Sequence, residues 1–221
     1  MNALGASLKT GLPELDELIQ IGTGIVTLRT SNYRRLSQLT CNLLARNLVP
    51  GKKILYLSWV DYHQRFWTID FDAIIGTGKK VGADVAALMK DVLVVRFFSR
   101  DNVECEDNWK KLFALKVEIN LVVLDSANEI FETGEKHECA KPFSYSLCQF
   151  VRLCMLKNCV GVVLDSSAKP LHPFMGNVSS IIIKFDGNGS QLASIVKHAF
   201  HEETAFELSS KPQKTLHRWL A

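Results

Sequence analysis

The chain has 221 residues, long enough to bury a full core as one domain with at most small appendages. Hydrophobic residues make up 47% and charged residues 22%, an ordinary globular balance, and the formal charge is only +3. So weak a field does not by itself attract nucleic acid, and any such binding has to come from local clusters.

No apolar run approaches the roughly 20 residues of a membrane helix. The stretch Met1–Leu15 lacks a basic segment followed by a long apolar core, so an intracellular setting is expected. The six cysteines, Cys41, Cys105, Cys139, Cys148, Cys154 and Cys159, form no CxxC pair. In a reducing compartment they are expected as small buried apolar residues. His137, Cys139 and Cys148 have no recognised metal-ligand spacing.

In chain order, Ile25-Val26-Thr27-Leu28 reads as the first strand. Leu36, Leu39, Leu43, Leu44 and Leu48 recur at helical spacing, and Pro50-Gly51 ends that helix. Ile54–Leu57 is the second strand and Val92–Val95 the third. A helix is expected over Asp107–Val117, with Trp109, Leu112 and Phe113 inside it. Leu121–Leu124 is a fourth strand ending at Asp125. Phe143, Leu147, Phe150, Val151, Cys154 and Met155 make an amphipathic helix stripe. Val160–Leu164 is a fifth strand ending at Asp165.

Strands that are apolar throughout are buried on both faces, as in a parallel sheet covered by helices. Their alternation with helices predicts an α/β fold with right-handed crossovers. After Gly176 the pattern changes to successive strands, Ile181–Lys184, Leu192–Val196 and Phe206–Leu208. Asp186-Gly187-Asn188-Gly189 is a hairpin signal, so antiparallel strands are expected at the C-terminal edge. Residues 1–208 form one core and 209–221 a basic tail.

Gly76-Thr77-Gly78-Lys79-Lys80 imitates a phosphate loop. Ala73 stands at its first glycine position and Lys80 at its Ser/Thr position, so it reads instead as a helix end with solvated lysines.

The order and spacing of four motifs resemble the RecA/RadA recombinase family, most closely its short RadB-like or recombinase-paralogue members. Gly11-Leu12-Pro13-Glu14-Leu15-Asp16-Glu17-Leu18 looks like the segment before the family's first strand. Leu121–Ser126 looks like its Walker B strand, with Asp125 as the magnesium-ligand position. Val163–Ser167 is similar to the strand leading to a DNA-contacting loop, and Val196–His201 to a late strand and turn. The resemblance implies a RecA-like, P-loop NTPase-type sheet, mostly parallel, flanked by helices and antiparallel at its C-terminal edge.

The chain departs from the family at the phosphate loop. Such a loop needs glycines, so that backbone N–H groups converge on phosphate, together with a Lys and a Ser/Thr. Residues 30–39 read Thr-Ser-Asn-Tyr-Arg-Arg-Leu-Ser-Gln-Leu, without glycine. Leu36 stands at the lysine position, only Ser37 keeps its chemistry, and Tyr33, Arg34 and Arg35 fill the space beside Thr30. Val60 occupies the catalytic glutamate's place, with Asp61 beside it. A non-catalytic chain with no cofactor is therefore expected, in which Asp125 caps a turn or bonds Ser37.

Arg34 and Arg35 open a helix, an unfavourable place for cations, and are candidates for DNA phosphate or an acidic partner. In the segment Ser166–Gly176, Lys169 and His172 are candidate DNA contacts and Phe174 a candidate base-stacking residue; an ordinary sheet-switching loop is the alternative. Leu216, Trp219 and Leu220 share one face of a helical turn, to dock on the domain itself or to anchor a partner.

The leading expectation is an accessory subunit in homologous recombination and DNA repair. Its partners are another paralogue or an active recombinase, with single-stranded or forked DNA as a weaker ligand. The setting is nuclear, or cytoplasmic if the host is archaeal. The alternatives are a residual ATP-binding switch or weak ATPase of the RecA/KaiC-like class, and a structural subunit of another complex.

Overall fold

The computed structural model describes residues 8–19, 24–58, 71–80, 82, 84, 86, 90–97, 102–125, 127, 143–166, 170–171, 173–185, 192–197 and 205–207. The helices are α1 (Pro13–Leu18), α2 (Tyr33–Arg46), α3 (Phe71–Lys80), α4 (Asn102–Ala114), α5 (Phe143–Lys157) and α6 (Pro173–Val178). The strands are β1 (Gly24–Arg29), β2 (Lys53–Ser58), β3 (Val92–Arg96), β4 (Ile119–Asp125), β5 (Val160–Asp165), β6 (Ile181–Phe185), β7 (Leu192–Lys197) and β8 (Ala205–Glu207).

The strands form one eight-stranded sheet in the order β3-β2-β4-β5-β1-β6-β7-β8. The pairs from β3 through β6 are parallel, and β6–β7 and β7–β8 are antiparallel. The expected α/β sheet with an antiparallel C-terminal edge is therefore observed. Residues 186–189, the hairpin signal, lie outside the described residues, although the β6–β7 pair is in place.

Successive strand side chains point to opposite faces, so an all-apolar strand feeds two cores at once. On one face Val26, Leu28, Ile54, Leu121, Val123, Val162 and Leu164 meet Leu15, Leu36, Leu39, Leu43 and Leu44 of α1 and α2. On the other, Ile25, Leu55, Leu57, Val122, Leu124 and Val163 meet Trp109, Leu112, Leu147, Phe150, Leu153 and Met175 of α4, α5 and α6. Each such side chain contributes about 1.5–3 kcal/mol when fully buried.

Local chemistry sets the element ends. Lys52 N–H donates to the Val49 carbonyl at 3.0 Å around Pro50 and Gly51, and Gly51 takes the positive φ (+80°) that its place in the turn requires. Helix α5 ends at Asn158 in the left-handed region (φ 49°). Cys159 N–H donates to Cys154 O and Asn158 N–H to Met155 O, both at 3.1 Å, which makes a Schellman closure. In the opening motif, the Asp16 carboxylate accepts from the Thr10 N–H at 2.5 Å and the Thr10 hydroxyl at 2.7 Å, folding the chain back over α1.

Three expectations are corrected. The helix expected over Asp107–Val117 runs Asn102–Ala114, because the chain must turn after Leu115 to enter β4 at Ile119. Met155, read as part of the buried stripe of α5, is 76% exposed. At about 100° per residue the buried arc falls on Ser146, Leu147, Phe150, Leu153 and Cys154, so Leu153 takes the core place and Met155 faces outward. Residues 173–178, read as part of a loop, form α6. Phe71–Lys80 is helical as expected, so Gly76 and Gly78 lie within a helix and Lys79 and Lys80 are exposed at its end.

Gly161 lies on β5 where α5 packs closely on the sheet. A Cβ there would sit 2.7 Å from Cys154 Sγ, 2.7 Å from Ile25 Cδ1 and 2.8 Å from Phe150 Cζ. Gly161→Ala is expected to lower stability by about 1–3 kcal/mol through overpacking. Gly76→Ala, with nothing within 4 Å of the new methyl group, is expected to raise it by about 0.5–1 kcal/mol through helix propensity. Urea midpoints of the two variants, compared at constant slope, check both signs.

Candidate functional site

In open α/β sheets, ligands bind outside the carboxyl ends of the parallel strands. Here Arg29 ends β1, Asp125 ends β4 and Asp165 ends β5, and these three strands are neighbours in the order β4-β5-β1. Leu28, Leu164 and Asp125 stand at one level of the register, and Arg29 and Asp165 pair one residue further on.

Only Thr30, Ser31 and Asn32 connect β1 to α2. Asn32 is the N-cap: its side-chain oxygen accepts from Arg35 N–H at 3.1 Å, as a cap should. Its own N–H donates to Thr30 Oγ1 at 3.2 Å. Leu36 N–H donates to Asn32 O at 3.0 Å, and Thr30 N–H to Asp165 O at 3.0 Å. Four backbone donors of the corner are thus engaged inside the protein. Leu36 is fully buried against the sheet, so an ammonium group at that position would point into the core.

Asp125 is 1% exposed, and its Oδ2 accepts a hydrogen bond from the Tyr56 hydroxyl. The register explains the contact. Ser58 is opposite Asp125, so Tyr56 is the diagonal same-face neighbour on β2. In sequence, one tyrosine in an apolar strand reads as core; the signal that marks Tyr56 is that a buried phenol needs a polar partner. The phenol is a partner for Asp125 that the turn-capping and Ser37 roles expected for it did not include. Ser37 itself is half-buried on α2.

On the opposite face, Arg29 Nε and Asp165 Oδ2 form an ion pair at 3.0 Å, with side chains 12% and 5% exposed. Both residues end apolar strands, and their pairing follows from the β1–β5 register. Arg35 is half-buried with its guanidinium 5.0 Å from the Phe185 ring centroid, a cation–π contact that gives this first-turn cation a structural partner. The side chains of Tyr33 and Arg34 lie outside the described residues.

Phe174, the candidate base-stacking residue, is half-buried on α6 and packs against the core beneath α5. Its ring is partly covered by that core. Lys169 and His172 lie outside the described residues, as do Leu216, Trp219 and Leu220.

Cys41, Cys154 and Cys159 are buried as expected, whereas Cys148 is exposed on α5. Burial, followed by the neighbouring Cys159, pushes the Cys154 thiol well above its usual range, so it remains a thiol. Cys105 and Cys139 cannot be placed within the described side chains, nor can His137.

A magnesium triphosphate needs converging N–H donors, an ammonium group and an available carboxylate. Against that set, the Thr30, Asn32, Arg35 and Leu36 donors are engaged, Leu36 is core, and Asp125 is buried against Tyr56. Among the described residues no group of three or more His, Cys, Asp or Glu side chains is placed to hold a metal, and no helix is long and apolar enough to cross a membrane. No family model matches the chain, and no curated protein matches it.

Two substitutions test this geometry. Tyr56→Phe removes a donor from a buried carboxylate and is expected to cost about 1–3 kcal/mol of stability. Arg29→Ala leaves the Asp165 carboxylate buried without its partner and is expected to cost about 3–5 kcal/mol, whereas replacing the pair together by Met and Leu costs much less. Chemical denaturation of the three proteins decides whether the losses follow that order.

Proposed function

We propose that the chain is a non-catalytic member of the RecA-like class, an accessory subunit in homologous recombination and DNA repair that works by binding a partner paralogue or an active recombinase. The observation that carries this reading is the β1–α2 corner. Four of its backbone donors, those of Thr30, Asn32, Arg35 and Leu36, are engaged by Asn32, Thr30 and Asp165, where a nucleotide-binding relative needs such donors for phosphate. Support for the finer fold assignment comes from the near full-length order of motifs, together with the mostly parallel sheet that carries Asp125 and Asp165 at its strand ends.

A chain that keeps this sheet without the phosphate-binding corner retains surfaces rather than chemistry. Single-stranded or forked DNA is a secondary ligand in this reading. Of its candidate contacts, Arg35 and Phe174 have partners inside the fold. That leaves Arg34, Lys169 and His172 to meet phosphate. The alternative of an ATP-binding switch built on Asp125 and Ser37 is disfavoured, because Tyr56 holds the carboxylate that would face magnesium.

Two measurements test the proposal. A ligand present at one hundred times its Kd adds about 2.7 kcal/mol to the stability of the protein that binds it. Magnesium–ATP is expected to leave Tm unchanged, and a saturable rise would favour the switch. Affinity purification of the full chain, with mass spectrometry of what co-elutes, is expected to recover a RecA-like or repair subunit in stoichiometric amount. A stoichiometric partner unconnected with repair would replace this reading with the scaffold one.

A further inference from the structure

We draw no further inference here: the strongest candidate, the apolar groove between α5 and α6 walled by Met155, Leu156 and Val178, carries nothing, because nothing in the structure shows what covers it.

Discussion

The corner between β1 and α2 is the constraint on which the rest depends. A helix N-terminus offers orphan N–H groups, and a protein must satisfy them with a cap, water or a ligand. Here Asn32 supplies the cap three residues after the strand ends, and the helix begins at Tyr33. Arg35 and Leu36 donate to Asn32, and Thr30 donates to Asp165, so these donors of the corner are satisfied by its own side chains and backbone. An anion there would have to break these bonds before making its own. Leu36 reinforces the closure, since its burial fixes the rotation of α2 about its axis and points that position at the sheet.

The neighbouring strand ends follow the same logic of internal satisfaction. A carboxylate buried beneath a helix layer is costly unless it is hydrogen-bonded or paired. Asp125 receives the Tyr56 phenol on one face of the sheet, and Asp165 receives the Arg29 guanidinium on the other. Both partners come from adjacent strands at the positions that the register dictates. The carboxyl edge of the sheet, where this architecture ordinarily receives ligands, is therefore tied together in the middle by two polar contacts on opposite faces.

Much of the fold was legible because its strongest signals are periodic. Each predicted strand up to β7 lies within a residue or two of its observed position, since an apolar run with turn residues on both sides admits few other readings. Helix ends were less legible. The stop of α4 before Val117 comes from the short path into β4, which is tertiary information. Met155 misled because five apolar residues of α5 set a stripe that a sixth extends only in sequence; the rotation per residue carries it to the outer side. At the site, the absence of glycine and lysine from residues 30–39 was visible in the letters, but the engagement of the Thr30, Asn32, Arg35 and Leu36 donors was not. Tyr56 and Asp165 became meaningful only once the strands were in register.

Amide hydrogen exchange at Thr30, Arg35 and Leu36, measured with and without magnesium–ATP, tests the closed corner most directly. The account predicts that these amides are already protected in the free protein and that nucleotide leaves their rates unchanged. Fast exchange in the free protein that slows on adding magnesium–ATP would contradict it, because the donors would then have been waiting for phosphate.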